Sequence, residues 1–412
     1  MKKAKRVQLP ASTLLHDLCI KSRNLYNVAT WYVRQDLFHL DNRLYYEDLD
    51  AMLKHHHNYI ELKNFTGAHA PQQVLRQVAH AWDAFFKASK EYRKKPKKFR
   101  GKPRPPGYKK PGVGNVVSFT NQQTRVRDGY MRLPEKLMAR GMPAIKTWYS
   151  DAEVIGVRIV PYGDQYNYEI LHEVEVMDRG LNKENTIGLD LGLNNTVTTS
   201  DELIVKGGAI KSINQFYNKR FASLKSIAKI VNDKNSTWQM TKLTRVRNNK
   251  VHSKMHEVSC RIINHCIEHD IGTVYIGYNE GWKDSINIGR RNNQNFVQVP
   301  FLMLVEMIEY KAKLVGIDVH RVMEEYTSQA CSRCFRVRKA NRVHRGLYTC
   351  HHCGLIINAD INAACYIKNK GLREHSPFIE AASKVVDRGG LNPPPRITAV
   401  PLQIHEKPIG HE

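Results

Sequence analysis

Apolar positions along this chain follow different rhythms, and the rhythm changes at definable points. Near the start, KRVQLP reads as one short strand ended by Pro10. From about residue 11 to 97 the spacing is helical. Leu14, Leu15, Leu18 and Cys19 share a face, and Leu25, Tyr26, Ala29 and Tyr32 continue at similar spacing. Residues 72–92 put Val74, Val78, Ala81, Trp82 and Phe85 on a stripe that reads as core packing. From 115 to 178 the chain is strand-rich: VVSFT, YMRL, AEVIGVRIVPY and YNYEILHEVEV are separated by turn-like segments. A β-barrel or small sheet is expected there. The first strand could join it, which would make the helical region an insertion.

A third unit opens at Asn185. NTIGLDLGLNNTVTTSD reads as an apolar strand with Asp190 at its centre, a Gly-containing turn and a second Thr/Val strand. Helices are predicted over about 211–231 and 240–270; in the latter, Val251, Met255, Val258, Ile262 and Cys266 recur at helical spacing. A strand at Thr273–Gly277, a polar loop, a helix over Pro300–Leu314 and a strand in IDVHRVMEE follow. After about residue 372 periodicity fades, and the tail reads as disordered.

Composition changes the picture by its charge. A chain of 412 residues holds about two to four units with cores of their own. A net charge of +25 points to a polyanionic partner. Residues 94–111, KKPKKFRGKPRPPGYKKP, combine five prolines with nine basic residues and cannot build a core. They form either a solvated linker or an extended strap. In the second case Lys97, Lys98, Arg100, Lys102, Arg104 and Lys109 would meet phosphates, and Phe99 and Tyr108 would stack on bases or sugars. Arg245 and Arg247 on the second long helix, Arg290 and Arg291 in RRNNQNF, and Arg333 are further candidate nucleic-acid contacts. No run of eighteen apolar residues is present, so no membrane partner is expected. The basic start lacks the apolar segment of a signal peptide, and a cytoplasmic, nucleoid-associated protein of a prokaryotic cell is expected.

Two Cys-x-x-Cys pairs, Cys331/Cys334 and Cys350/Cys353, sit fifteen residues apart. Four thiolates in two knuckles are what a tetrahedral Zn2+ takes; buried structural cysteines are the competing reading. His351 and His352 fit less well as ligands because the four thiolates already suffice. Cys19, Cys260, Cys266 and Cys365 are expected as reduced core residues. Asp360 follows the last paired cysteine by seven positions. Asp190, in the middle of an apolar strand, is costly to bury unless it holds a cation. The predicted order strand, hairpin strand, helix, strand, helix, acid is that of an RNase H-like fold. In that fold, carboxylates on adjacent strands and a later helix hold two Mg2+ ions for phosphodiester hydrolysis.

Here a resemblance becomes specific. IGLDLGLNNTV resembles the first RuvC motif of TnpB, the RNA-guided nuclease family of insertion sequences related to type V CRISPR effectors. YTSQACSRC, YTCHHCG and NADINAA resemble that family's zinc ribbon and third RuvC motif. SRNLYNVATWYVRQ and KFRGKPRPPGYKKPG resemble its helical recognition segment and basic connector. The resemblance implies a multidomain α+β protein, a wedge β-barrel with an inserted helical recognition domain followed by an RNase H-like (RuvC) nuclease with an inserted zinc ribbon. The implied boundaries are 1–10 and 106–182 for the wedge, 11–105 for recognition, 183–330 and 355–371 for RuvC, 331–354 for the ribbon and 372–412 for the tail. It also implies a guide RNA, one protein per guide, and a double-stranded DNA target with its displaced single strand. A short target-adjacent motif would be read from the helical domain and barrel. Asn64, Phe65, Thr66, Gln72 and Gln73 are candidates for that reading, with helix capping as their other role.

The chain departs from the family pattern at the second acid. The middle strand ends in Gly277-Tyr278, where a hydrophobic strand followed by Glu-Asp-Leu is usual. The resemblance extends to a branch, related to the eukaryotic Fanzor proteins, whose acid is relocated to Glu-Glu-Tyr-Thr-Ser. Glu324 is favoured as the second ligand beside Asp190 and Asp360, with Glu325 and Glu280 as alternatives. Strand alternation lets only one of Glu324 and Glu325 face the metal. The implied function is Mg2+-dependent RNA-guided cleavage of DNA. A nuclease-inactive guided repressor and a DNA strand-transfer transposase are the alternatives.

Overall fold

In the computed structural model, which describes residues 1–232, 235–279, 281, 289–324, 327–344 and 346–375, strand β1 (Lys2–Leu9) leads into four helices. They are α1 (Thr13–His39), α2 (Tyr46–Leu53), α3 (His57–Thr66) and α4 (His69–Lys94). The Ser12 hydroxyl caps α1 by accepting from the Leu15 N–H at 3.2 Å. The apolar stripe of α1 (Leu15, Leu18, Leu25, Ala29) and that of α4 (Val74, Val78, Trp82) share one buried core. The basic strap that follows is not free-floating. Asn27 on α1 clamps the Lys109 backbone from both sides, donating to its carbonyl at 3.0 Å and accepting from its N–H at 2.8 Å. Arg34 also donates to the Pro106 carbonyl at 3.1 Å.

Short strands come next: β2 (Val117–Thr120), β3 (Arg125–Arg127) and β4 (Tyr130–Arg132), then the turn-long α5 (Glu135–Met138) and β5 (Ile145–Lys146). The long hairpin β6 (Val154–Tyr162) and β7 (Gln165–Glu173) completes this half. All eight residues of β1 pair antiparallel with β7, so the helical region is an insertion between paired strands. Glu169, 4% exposed, holds that seam, its carboxylate accepting from Arg6 on one side and Arg158 on the other. The pairings give a four-stranded sheet in the order β1-β7-β6-β2 and a separate three-stranded sheet β3-β4-β5. Among the described residues no pairing joins the two into a closed barrel.

The second half opens with β8 (Thr186–Leu191), β9 (Asn195–Thr199) and β10 (Ile204–Lys206), followed by the helices α6 (Gly208–Asn232) and α7 (Trp238–Glu268). Then come β11 (Thr273–Gly277), α8 (Arg290–Val297), α9 (Phe301–Leu314) and β12 (Asp318–Val322). The five strands form one sheet in the order β10-β9-β8-β11-β12, antiparallel up to β8 and parallel beyond it. Leu189, Leu191 and Val197 face a core shared with Met255 and Ile262 of α7 and Leu304 and Ile308 of α9. The small strands β13 (Arg342–His344), β14 (Leu347–Thr349) and β15 (Ile356–Ile357) follow, and α10 (Ala359–Glu374) covers the other face of the sheet. Gly188 makes that cover possible: a Cβ there would lie 2.1 Å from the Ala364 carbonyl oxygen.

An ion pair ties the halves together. Arg245 of α7 reaches Asp164 in the β6–β7 turn, Nη2 to Oδ2 at 3.2 Å, and the two side chains are only 9% and 5% exposed. Of the unpaired cysteines, Cys19 and Cys266 are buried and Cys365 is half-buried, but Cys260 is exposed. It lies off the α7 stripe that packs inward. The tail beyond residue 375 lies outside the described residues. No described helix is long and apolar enough to cross a membrane.

Candidate active site

Asp190 sits near the C-terminal end of β8, the central strand of the sheet, with β9 on one side and β11 on the other. Its side chain shares the α10 face with Gly188, because residues two apart along a strand point the same way. Burial, and then the neighbouring Asp360 carboxylate, push its carboxyl up to about 7, while Arg342 pulls it down.

Glu324 follows β12 and leans across the end of β11. A Cβ on Gly277 would stand 2.6 Å from its Oε1 and 2.9 Å from its Cγ. It would also stand 2.5 Å from Ile367 Cδ1, so a side chain at 277 would require both Glu324 and Ile367 to shift. The Glu324 backbone is pinned on both sides: its N–H donates to Asn279 Oδ1 at 2.8 Å, and its carbonyl accepts from the Thr327 N–H and hydroxyl, each at 3.2 Å. Its Oε1 is buried without a protein partner. Burial first, and then Asp190, raise its carboxyl to about 8. Glu280 and Glu325 lie outside the described residues.

Asp360 stands in the first turn of α10. Asn358 caps that helix, its side chain accepting from the N–H groups of Asp360 at 2.9 Å and Ile361 at 3.3 Å. An acid in this position also favours the helix dipole. Asp360 Oδ2 accepts from Asn195 Nδ2 at 2.8 Å, and Arg342 approaches Oδ1 at 3.7 Å. Asp190 is thus electrostatically linked to each of the other two acids. They are joined in pairs through it and are not drawn into a set as tight as the cysteines described next. Three carboxylates, one with an orphaned buried oxygen, suit a hard divalent cation that keeps part of its water shell.

The four paired cysteines converge, and their sulfurs all lie within 4.8 Å of one another. Cys331 and Cys353 are 3.5 Å apart, Cys334 and Cys350 3.6 Å. Each knuckle turns on a left-handed residue, Phe335 at φ 60° and Gly354 at φ 71°, whose N–H returns to the carbonyl of the first cysteine at 2.9 Å. This is a donor set for tetrahedral Zn2+. His351 and His352 are exposed and outside the group. The ribbon is tied to the acid-bearing helix: Asn362 of α10 donates to the Ala330 carbonyl at 2.8 Å and accepts from the Ser332 N–H at 3.0 Å.

The basic candidates divide. Lys97, Lys98, Arg100, Lys102, Arg104 and Lys109 lie along the strap, and Tyr108 is half exposed there. Arg333 is exposed on the ribbon. Arg245 is instead committed to Asp164, and Arg247 donates to Asn214 Oδ1 at 2.8 Å and to the Gln298 carbonyl at 2.9 Å. Both arginines are internal braces. Arg290 and Arg291 begin α8, with side chains outside the described set. Thr66 is fully buried, its hydroxyl donating to the Leu62 carbonyl, so it offers nothing to a partner; Asn64 is exposed, and Phe65, Gln72 and Gln73 are partly so. The sequence names Arg342 only as one of the ribbon's basic residues (with Arg333, Arg336, Arg338, Lys339 and Arg345) and Asn195 only as a neighbour of Asp190; the structure brings both to Asp360. Arg342 is one arginine in a basic row, and nothing in its spacing distinguishes it.

A family described as a probable transposase matches residues 169–283, and one described as Cas12f1-like, TNB domain, matches residues 301–367. The TnpB-like protein ORF457 of Acidianus two-tailed virus is 24% identical over 87% of this chain and 83% of its own length. The CRISPR-associated endodeoxyribonuclease Cas12f1 of Sulfoacidibacillus thermotolerans is 35% identical over 26% of this chain. The chain spans only 24% to 41% of the length of three such Cas12f1 relatives. In fold it is similar to the mini-RNA-guided endonuclease CRISPR-Cas_phi3, with a TM-score of 0.50 at 11% identity, over 90% of this chain and 92% of the other.

Proposed function

This chain belongs to the TnpB family, and on that premise we propose that it is an RNA-guided DNA endonuclease whose RuvC-type site is built from Asp190, Glu324 and Asp360. One observation carries the assignment of the second acid. The position that usually bears it is Gly277, and the Glu324 carboxylate lies, together with the end of the Ile367 side chain, in the space a side chain at 277 would fill. A carboxylate held there by backbone pins at both ends, with a buried unpartnered oxygen, is poised for a ligand. The sheet order β10-β9-β8-β11-β12 supports an RNase H-like reading, since it puts the ends of β8, β11 and β12 side by side.

Asp190, Glu324 and Asp360 would hold Mg2+. Bound there, Mg2+ supplies a Lewis acid for phosphate oxygens and a more acidic water. The residues divide the remaining work. Asn195 and the Asn358 cap orient Asp360. Arg342 stands at the acid cluster with a guanidinium that suits a DNA phosphate, and substrate entering there would draw it from Asp360. The four cysteines would hold Zn2+ and so fix the ribbon that carries Arg342.

Guide RNA and a DNA duplex with its displaced strand are the partners this reading requires. The charge of +25 and the strap along α1 support it, because a guided nuclease needs a basic channel around a heteroduplex while base pairing reads sequence. The test is Mg2+-dependent cleavage of a plasmid library with randomised target flanks, by the protein co-expressed with its flanking RNA. Cleavage by wild type and none by Glu324→Gln is the expected result. Guide-directed binding by wild type without any cleavage would instead make the chain a guided DNA-binding protein.

A further inference from the structure

Strand β1 faces α7 and α9 across a cleft of about 930 Å³, lined by Lys3 and Arg6 from the strand, His252 and His256 from α7, and Tyr310 from α9. It lies on the α7 and α9 side of the five-stranded sheet, whereas the three acids gather on the α10 side. Lys3 Nζ stands 5.4 Å from the Tyr310 ring centroid and has no ion pair among the described residues. The His252 and His256 rings meet edge to face at 4.6 Å, and among the described residues no hydrogen bond satisfies their ring nitrogens. Lys311 crosses from α9 to the same stretch of α7, donating to the His256 carbonyl at 2.9 Å and the Ser259 hydroxyl at 2.6 Å. The carboxylate that Arg6 meets, Glu169, is already divided between Arg6 and Arg158.

A chain of +25 carries many cations on its surface. These differ because three elements bring them into one concavity, where each raises the cost of charge on the next. Burial first, then Lys311, His252 and Arg6, hold the His256 imidazole down at about 4. Burial and Lys311 also lower the Lys3 ammonium, against an opposite pull from Cys260. Elsewhere on the same helix, Arg245, Lys254 and His265 each have an acid, in Asp164, Glu257 and Asp201. What the cleft lacks is an anion. The double charge and several acceptor oxygens of a phosphate match ammonium and imidazole donors better than the single charge of a carboxylate.

We propose that this cleft is a phosphate-binding site, separate from the carboxylates, with Lys3 and His256 as its principal donors. Its ligand is a free oligophosphate or the successive phosphates of an RNA strand. The proposal does not rest on the nuclease reading, because neither the acids nor a metal enters it.

The experiment uses the full-length, zinc-loaded protein without Mg2+, so that no metal at the acids can bridge a phosphate. Inorganic pyrophosphate is titrated by calorimetry, and a single-stranded RNA from the flanking transcript by fluorescence anisotropy at several salt concentrations. Wild type, Asp190→Ala, Lys3→Gln, Lys3→Arg and His256→Gln are compared, and the melting temperature of each is recorded. Lys3→Gln and His256→Gln are each expected to weaken binding by about tenfold, while Lys3→Arg and Asp190→Ala leave it unchanged. A loss seen with RNA, with a salt slope lowered by about 0.7 in Lys3→Gln, assigns the phosphates of a strand as the occupant. A loss seen with pyrophosphate alone assigns a free oligophosphate. Failure of wild type to bind either probe, or wild-type affinity for both in Lys3→Gln and His256→Gln, overturns the proposal. So does a loss that Lys3→Arg fails to restore and that tracks a lowered melting temperature, since that is packing. An equal loss in Asp190→Ala also overturns it, by placing the phosphate at the acids.

Discussion

The carboxylate of Glu324 lies beside the place of a side chain that Gly277 does not have: a Cβ on Gly277 would be 2.6 Å from Glu324 Oε1, and 2.5 Å from Ile367 Cδ1. The two positions therefore behave as one unit. Gly277→Ala is expected to displace Glu324 and lower cleavage by at least about tenfold, although alanine brings no new chemistry. The informative variant is the exchange, Gly277→Glu combined with Glu324→Gly, which should cleave better than either single change. Single-turnover cleavage of a guide-matched duplex checks this, and an exchange no better than the singles would break the link.

Arg342 reaches the site from the ribbon, 3.7 Å from Asp360. Arg342→Ala should cut the cleavage rate by about 10²–10³-fold, the usual effect of losing one donor aimed at developing phosphate charge. Guide and target binding should change little, because the rest of the basic surface is intact. Measuring the target Kd beside the rate separates the two; a loss confined to binding would make Arg342 an ordinary surface cation.

Cys331→Ser should release zinc, since three thiolates remain from four. Asn362→Ala should keep zinc but loosen the ribbon from α10, because Asn362 bonds both the Ala330 carbonyl and the Ser332 N–H, leaving Asn369, which donates to the Ser332 carbonyl at 3.0 Å, as a remaining tether. Metal content by atomic absorption and cleavage rate, read together, test this. Zinc retained with unchanged cleavage in Asn362→Ala would show that the tether does not matter.

The Arg245–Asp164 pair should brace the junction between the halves. Hydrogen bonding from Arg245 holds the Asp164 carboxyl below its ordinary value. Its stabilisation is therefore present above the unfolded-state value of about 4 and lost only as pH falls through the lower folded value. Asp164→Asn leaves a buried guanidinium without its counter-charge and should destabilise by about 3–5 kcal/mol at pH 7. Chemical denaturation from pH 7 downward tests the sign: the gap between wild type and variant should persist to pH 5 and narrow below about pH 4.

Much of the architecture was legible because it rests on local signals. Asp190 stood out as a charge inside an apolar strand, and the cysteines by their spacing. The long helices α6 and α7 followed from periodicity. What escaped depends on contacts between distant segments. Arg245 looked like one more cation on a basic helix, yet it faces an aspartate 81 residues earlier in the chain. Arg342 was indistinguishable from its basic neighbours until the ribbon was placed beside Asp360. The glycine at 277 read as a missing acid with Glu324 favoured in its place, and the structure adds that the Glu324 carboxylate lies beside the position the missing side chain would take. Cys260 lies on the outer side of α7 and not in the core, and Thr66, sealed into α3, fits the structural role offered beside the contact role.

Strand β1 is synthesised long before β7, its only strand partner among the described residues. Until Gln165–Glu173 has been made, the nascent chain carries an unpaired strand while the intervening helices are already able to collapse on one another. Such an orphan edge invites pairing with other chains. Lys2, Lys3, Lys5 and Arg6 make it a poor template for that, because like charges on two such edges repel. That repulsion acts in the interval when β1 is made and its partner is not.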